Sequence, residues 1–289
     1  MRLTVNTVRA ELVEALSFFA PGKRRDGPST GSGRTVWGWA VALSLAFASA
    51  ASAQVAPPPL PITKAQVIAR LPHDPTAFTQ GFFFRDGAFY ESTGNVGRST
   101  IRKIDPKTGN VLRQMTIPPP YFGEGIAPVG DQIVSLTWQH GIGFRWRASD
   151  FRKLGAFRYS GEGWALASDG RMLVMSDGTP TLRVLDPKTL AVTRKIAVTF
   201  KGRPLDRLNE IEIVDGEILA NVWHTNAIVR IDPASGKVIG VIDLAALAAE
   251  VDARDPEAVP NGIAWDAKAR RLYVTGKMWP TVFEIGWGE

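Results

Sequence analysis

The sequence has no cysteine and only three histidines among its 289 residues, and both shortages exclude kinds of chemistry. Without cysteine there is no thiol nucleophile, no thiolate metal ligand and no disulfide. The histidines (His73, His140 and His224) are scattered and lack the H-E-x-x-H spacing of a zinc site. From residue 54 onward there is neither a G-x-S-x-G elbow for a serine nucleophile nor a glycine-rich phosphate loop between a strand and a helix. Carboxylates are therefore the best candidates for acid–base chemistry.

A strong excess of charge is also absent. Residues 1–53 carry half of the formal net charge of +6, which leaves +3 for the rest of the chain. That remainder has no run of basic residues that could follow a phosphate backbone. We therefore expect no nucleic-acid partner.

The N-terminal region has the features of an export signal. Arg34 precedes an apolar run over residues 36–48, and Ala51-Ser52-Ala53 supplies a small-residue cleavage pattern. A membrane anchor is the alternative, but the run is short for a bilayer and is soon followed by Pro57-Pro58-Pro59. We expect a periplasmic or secreted protein that leaves the membrane after cleavage. The predicted divisions are a signal peptide with an extended polar N-terminus (1–53), a Pro-rich linker (54–64) and one domain (65–289).

Five segments of the chain repeat one pattern: a short apolar strand, a tight turn and a second apolar strand. Several of the turns are Asp-Gly, a strong hairpin signal because both central residues adopt positive φ. The predicted first hairpins are Phe82–Thr93, Ile126–Thr137, Trp164–Ser176, Ile211–Val222 and Ile263–Thr275. Such a period across the whole domain indicates a repeat architecture.

A second family of turns interleaves with the first, at residues 105–109, 186–189 and 232–236, and in weaker form at 145–149. Two hairpins per unit make a four-stranded antiparallel sheet, which buries both faces only by stacking on its neighbours. The pattern predicts an all-β fold, a five-bladed β-propeller. Two β-sandwiches are the alternative, but they do not predict a common repeat.

The same alignment predicts how the ring closes. Val67–Leu71 resembles the last strands of the first four units, yet it precedes the first unit. We expect it to complete the fifth sheet beside Val282–Ile285 and so remove an exposed edge. Ala245–Val259 is predicted to be a short helix or loop over one face. The predicted last strands of the other units are Val111–Ile117, Phe151–Phe157, Val192–Val198 and Val238–Ile242.

Each unit carries a carboxylate or carboxamide just before its first strand, a regularity that turn glycines alone do not explain. In a propeller these positions surround one end of the axis; they are Gln80, Glu124, Glu162, Asn209 and Asn261.

A second ring, after the first hairpins, holds Trp138, Asp177, Trp223 and Lys277-Met278-Trp279. A single tryptophan usually fills core. Several tryptophans beside a ring of polar residues instead favour a pocket with aromatic walls.

A series of short motifs runs in order through the predicted domain. They are His73-Asp74-Pro75-Thr76-Ala77-Phe78-Thr79-Gln80-Gly81, Tyr121-Phe122-Gly123-Glu124-Gly125, Gly161-Glu162-Gly163-Trp164, Leu208-Asn209-Glu210, Asn221-Val222-Trp223, Pro260-Asn261-Gly262 and Thr275-Gly276-Lys277-Met278-Trp279-Pro280. Each is weak alone, but their joint order resembles the glutamine cyclotransferase family of the plant and bacterial type. Two departures are Ala165, where the family has glycine, and Ala245–Val259, which has no counterpart. We expect neither to touch the reacting groups.

The resemblance implies an enzyme that cyclises the N-terminal glutamine of peptides and proteins to pyroglutamate and releases ammonia. It implies Glu124 as the acid–base group that shuttles the proton, and no required cofactor. The implied pocket residues are Phe78, Gln80, Phe122, Trp138, Trp164, Asn209, Trp223 and Lys277. Gln80, Asn209 or Lys277 is expected to bond the developing oxyanion, and Glu162 is either structural or part of the site. We expect a monomer, and a structural calcium ion in the central channel is compatible with the ring of oxygen ligands.

Two other functions fit a propeller with this ring. One is a metal-dependent hydrolase such as a lactonase, which predicts six blades and loss of activity on chelation. The other is a non-catalytic binding module, because this fold hosts many functions. The hypothesis of a binding module predicts that Glu124 is a structural carboxylate and is dispensable.

Overall fold

The structure, a computed structural model, describes residues 59–287. The predicted signal peptide and most of the predicted linker lie outside these residues. Within them, no helix is long and apolar enough to cross a membrane. The regular secondary structure in this range consists of β-strands apart from one short helix.

Two strands come before the first blade, β1 (Ile62–Lys64) and β2 (Gln66–Pro72). Blade 1 consists of β3 (Thr79–Arg85), β4 (Ala88–Thr93), β5 (Thr100–Ile104) and β6 (Val111–Thr116). Blade 2 consists of β7 (Gly123–Val129), β8 (Gln132–Thr137), β9 (Ile142–Arg147) and β10 (Lys153–Arg158). Blade 3 consists of β11 (Ala165–Ser168), β12 (Leu173–Ser176), β13 (Thr181–Leu185) and β14 (Val192–Ala197).

A short antiparallel hairpin, β15 (Thr199–Phe200) and β16 (Arg203–Pro204), leads into blade 4. Blade 4 consists of β17 (Leu208–Val214), β18 (Glu217–Val222), β19 (Ala227–Ile231) and β20 (Val238–Asp243). The helix α1 (Ala245–Val251) follows. Blade 5 consists of β21 (Pro260–Asp266), β22 (Arg271–Gly276), β23 (Thr281–Gly286) and the N-terminal strand β2. The predicted five four-stranded antiparallel sheets are confirmed.

The N-terminal strand β2 pairs antiparallel with β23, so that Val67 faces Ile285 and Leu71 faces Val282. This is the pairing that the strand alignment predicts. In addition, β1 runs parallel to β20 and adds an outer strand to blade 4. Residues 62–64, which the composition assigned to the linker, therefore belong to the sheet structure.

The core lies between the blades. Five buried apolar clusters each join two neighbouring blades, and one of them joins blade 1 to blade 5 through Phe82, Phe89 and Val282. The inner strands β3, β7, β11, β17 and β21 contact one another around the ring. Because both faces of every sheet are covered in this way, no blade is left with an exposed apolar face.

The Asp-Gly turns only partly follow the prediction. In blades 1 and 4 both turn residues adopt positive φ, for example 51° at Asp86 and 76° at Gly87. In blade 3 only Gly170 does so, with φ of 85°. The Asp169 carboxylate there accepts hydrogen bonds from the backbone N–H groups of Arg171 (2.8 Å) and Met172 (2.7 Å). This side-chain turn replaces the expected geometry.

Candidate active site

The polar residues at the blade entries occupy equivalent backbone positions. Gln80, Glu124, Asn209 and Asn261 are each the second residue of an inner strand, and all four are buried. In each of these blades the pairing of the inner strand shifts register at that point. A β-bulge changes the direction of a side chain without ending the strand. The bulges therefore account for four amide or carboxyl groups at the same end of the axis.

The residue after each of these side chains lies where neighbouring blades approach closely. A Cβ on Gly81 would fall 2.6 Å from Ile126 N, and one on Gly125 would fall 2.5 Å from Leu166 N. Glycine is required here by space, because a Cβ would overlap backbone. In blade 4 the equivalent residue is Glu210, which accepts hydrogen bonds from Phe82 N (3.2 Å) and Ile263 N (2.8 Å). Its carboxyl group thus links blade 4 to blades 1 and 5.

A chain of amide groups leads to Glu124. Asn261 Nδ2 donates to Gln80 Oε1 at 3.0 Å, which directs Gln80 Nε2 toward Glu124 Oε1 at 3.4 Å. Asn261 Nδ2 also donates to the backbone oxygen of Thr79 at 2.8 Å. These bonds fix the orientation of the Gln80 amide, because its oxygen is already engaged by a donor.

All nine residues predicted for the site line one cavity of about 250 Å³. This is below the roughly 300–1,000 Å³ of typical pockets for drug-sized ligands. The volume is suited to a single amino-acid residue. The lining residues are Phe78, Gln80, Phe122, Glu124, Trp138, Trp164, Asn209, Trp223, Glu257 and Lys277.

Burial raises the pKa of the Glu124 carboxyl group well above its ordinary value. The nearby Lys277 ammonium lowers this pKa and the Glu162 carboxylate raises it, and the net direction is upward. A carboxyl group of this kind is a stronger base than one in water. A base of this kind can both accept a proton and return it.

Lys277 is the cationic member of the pocket. Burial lowers its pKa, while the negative charges of Glu124 and Glu257 raise it, and the net shift is downward. Its Nζ lies 4.7 Å from the centroid of the Phe78 ring and 5.8 Å from that of Trp223. These ring faces stabilise the ammonium group where water is largely excluded.

Glu162 lies behind the pocket wall and holds it in place. Its Oε2 accepts hydrogen bonds from the indole nitrogens of Trp138 and Trp164, both at 2.8 Å. Its Oε1 accepts a bond from Gln139 Nε2 at 3.2 Å. Glu162 does not line the cavity, so it positions two tryptophans and acts on Glu124 through its charge.

The aromatic walls meet edge to face. Trp164 and Trp223 have ring centroids 5.6 Å apart, and Phe122 lies 5.8 Å from Trp138 and 6.2 Å from Phe78. Among the described residues, Trp223 Nε1 is buried and has no hydrogen-bond acceptor.

Other members of the predicted second ring lie outside the cavity. Asp177 pairs with Arg183 at 2.5 Å. Trp279 is fully buried core, and its Nε1 donates to Ala258 O at 3.0 Å. These residues support the pocket from outside it.

Glu257 is the lining residue that the sequence did not predict. It belongs to Ala245–Val259, a segment that we expect not to touch the reacting groups and that contributes this one residue to the cavity lining. Val259 O accepts a hydrogen bond from Lys277 N at 3.0 Å, which ties the segment to the lysine. No repeat position marked Glu257, because the segment is an insertion between blades 4 and 5.

The other departure from the family pattern is Ala165. It lies in close backbone contact with Gly125 and is fully buried.

Within residues 59–287, no group of three or more histidine, aspartate or glutamate side chains is arranged to hold a metal ion. The calcium ion in the channel stays a prediction. The five blades also differ from the six expected for the rival hydrolase.

Fold and site together define a class: a five-bladed β-propeller enzyme with one buried carboxyl group in an aromatic pocket on its axis. The family model described as glutamine cyclotransferase matches residues 39–287. The chain belongs to the glutamine cyclotransferase family.

Two individual proteins illustrate the relationship. A curated glutaminyl-peptide cyclotransferase from Arabidopsis thaliana is 40% identical over 228 residues, which cover 78% of this chain and 71% of that protein. The crystal structure of Myxococcus xanthus glutaminyl cyclase matches with a TM-score of 0.74 and 38% identity. That match covers 79% of this chain and 97% of the Myxococcus chain.

Proposed function

We propose that this chain is a glutaminyl-peptide cyclotransferase in which Glu124 carries the proton between two nitrogens of the substrate. The enzyme cyclises an N-terminal glutamine to pyroglutamate and releases ammonia. The observation that carries the proposal is the raised pKa of Glu124 inside a pocket of one-residue size. Membership of the glutamine cyclotransferase family supports it independently.

The reaction needs no nucleophile from the protein. The neutral α-amine of glutamine attacks its own side-chain carbonyl carbon, and a new C–N bond closes a five-membered ring. The Glu124 carboxylate accepts a proton from the attacking nitrogen. It then returns this proton to the amide nitrogen, the old C–N bond breaks, and ammonia departs. Glu124 ends as the carboxylate, so the cycle balances.

The pocket contributes mainly by folding the substrate. Well-oriented intramolecular reactions gain about 7–11 kcal/mol from proximity. The walls of Trp164, Trp223 and Phe78 belong to a small cavity in which the glutamine side chain would be folded back toward its own α-amine. Exclusion of water also strengthens the electrostatic interactions of Glu124 and Lys277.

The developing oxyanion requires a hydrogen-bond donor. Of the expected candidates, Gln80 directs its amide nitrogen toward Glu124, which leaves Lys277 and Asn209. A well-placed donor of this kind contributes about 3–4 kcal/mol to the transition state.

Ammonia release from a Gln-Ala dipeptide amide tests the function. Pyroglutamyl product and ammonia should form in equal amounts. The N-acetylated peptide should not react, because its nitrogen is no longer a nucleophile. A chelator should leave the rate unchanged. Failure of the free peptide to release ammonia, or equal reaction of the acetylated one, would overturn the proposal.

Export is a separate proposal that rests on the pattern in residues 36–53. Intact-mass measurement of protein secreted by an expressing bacterium should show cleavage after Ala53, with Gln54 or its pyroglutamyl form at the N-terminus. A chain that keeps residues 1–53 and stays with the cells would contradict it. Light scattering of the purified enzyme would test the expected monomer.

A further inference from the structure

Glu257 differs in exposure from the other charged groups of the pocket. Glu124 and Lys277 are each only 4% exposed, whereas the side chain of Glu257 is 40% exposed. These are the charged residues that line the cavity. Glu257 therefore stands where the cavity meets solvent.

The position of Glu257 is fixed by its backbone. Asp255 Oδ1 accepts a hydrogen bond from Glu257 N at 2.8 Å, and Glu257 O accepts one from Val259 N at 2.8 Å. The next turn is tied to the lysine through the bond from Lys277 N to Val259 O. A side chain on an anchored backbone loses less conformational freedom on binding a cation than one on a mobile loop.

A neighbouring histidine borders the same mouth. His224 Nε2 lies 3.4 Å from Glu257 Oε1, and the imidazole packs on Trp223 with ring centroids 4.3 Å apart. Both His224 and Glu257 remain about a third or more exposed, at 35% and 40% of their side chains. The carboxylate thus retains access to a ligand that comes from solvent.

We propose that Glu257 selects the second residue of the peptide substrate, favouring a basic side chain and disfavouring an acidic one. The inference rests on the proposed function, because it assumes that N-terminal glutamine fills the cavity. The following residue then lies at the mouth, next to the one solvent-facing charge among the lining residues. Attraction or repulsion between the Glu257 carboxylate and a charged second side chain then changes the binding of the peptide.

The test compares kcat/KM for Gln-Lys, Gln-Ala and Gln-Glu peptide amides in the wild type and in the Glu257→Gln variant. The wild type should prefer Gln-Lys to Gln-Glu, and the variant should lose about three- to ten-fold of this ratio, as expected for a partly exposed ion pair. Glu257→Lys should reverse the preference. Added salt should weaken it in the wild type.

Glu250→Gln is the matched control. Glu250 lies in the same inserted segment, its side chain is 41% exposed, and it pairs with Arg70 away from the cavity lining. Its removal should leave the ratio unchanged. Because the readout is a ratio between substrates, any effect of the substitution on the chemical step that is common to all three peptides cancels.

The two possible failures can be told apart. If the wild type releases no ammonia from any of the three peptides, the proposed function itself is wrong. If it reacts with all three while Glu257→Gln keeps the wild-type ratio, only the assignment of Glu257 is overturned. An equal change of the ratio in Glu250→Gln would also overturn it.

Discussion

His73 and Glu91 form a buried pair, with His73 Nε2 3.0 Å from Glu91 Oε1 and side-chain exposures of 2% and 0%. The other ring nitrogen, Nδ1, lies 2.6 Å from the backbone oxygen of Trp279. Both neighbours are hydrogen-bond acceptors, so the arrangement favours a ring that is protonated on both nitrogens. The imidazolium therefore joins blade 1 to the turn that carries Lys277.

This pair makes stability depend on pH. Burial lowers the pKa of His73, but the Glu91 carboxylate, the Trp279 carbonyl and Asp74 raise it, and the net shift is upward. A group whose pKa is raised on folding contributes stability that is present below its unfolded pKa of about 6.5 and is lost as pH rises through the folded value. The urea midpoint of the wild type should thus fall on going from about pH 6 into the alkaline range.

The His73→Gln variant separates this effect from other titrations. Its urea midpoint should be lower than that of the wild type at about pH 6, and the difference should shrink as pH rises. A constant difference across the whole range would show that folding does not raise the pKa of His73.

Glu162→Gln tests how charge outside the cavity acts on Glu124. Glutamine keeps a side-chain oxygen for the indole N–H groups of Trp138 and Trp164 but removes the negative charge. Because the Glu162 charge raises the pKa of Glu124, its loss should lower that pKa. The acidic limb of the kcat/KM profile should move to lower pH. An unmoved limb would contradict this coupling.

Lys277→Met should move the acidic limb of the kcat/KM profile to higher pH, opposite to the shift expected for Glu162→Gln. The Lys277 ammonium lowers the pKa of Glu124, so its removal raises that pKa and shifts the limb to higher pH. The rate should also fall, but the position of the limb is the relevant readout. Shifts in the same direction for Glu162→Gln and Lys277→Met would contradict the assignment of the limb to Glu124.

Gly125→Ala tests the close approach of blades 2 and 3 beneath the pocket. The new methyl group would fall 2.5 Å from Leu166 N and nearer still to the Cα of Ala165. Overpacking of this kind costs about 1–3 kcal/mol. In the same blade, a Cβ on Gly155 would meet no atom within 4 Å. Urea unfolding should show a clear loss for Gly125→Ala and little change for Gly155→Ala; equal effects would refute the packing argument.

The blades and most of the site were predictable because the chain repeats. Gln80, Glu124, Asn209 and Asn261 occupy the same position in different units, so one alignment places them together. The bulges that direct them toward the axis were not predicted, since a register shift leaves no distinct residue pattern. Glu162 was left open between structure and site, and only its bonds to two indoles reveal its supporting position.

Features outside the repeat were missed because no alignment of the units reaches them. Glu257 lies in an insertion, β1 adds to blade 4 from the far N-terminal side, and the hairpin of β15 and β16 has no equivalent in other units. The Asp169 turn was misjudged because an aspartate before glycine can either adopt positive φ itself or bond the backbone ahead of it. Local sequence does not distinguish these outcomes.

A second buried carboxyl group provides a control for Glu124. Glu212 lies toward the opposite end of the inner strand β17, where burial raises its pKa to about 8. It accepts a hydrogen bond from Ile213 N at 2.8 Å and does not line the small cavity. Since it is mostly uncharged at neutral pH, Glu212→Gln changes little in charge or size. This variant should fold and keep its activity.

The most direct measurement is the rate of ammonia release from Gln-Ala amide by folded Glu124→Gln, with Glu212→Gln beside it. Circular dichroism should show that both variants keep the wild-type fold. Loss of an acid–base group predicts a rate about 10²–10⁴-fold lower for Glu124→Gln. A folded Glu124→Gln that cyclises the peptide at the wild-type rate would contradict the proton shuttle.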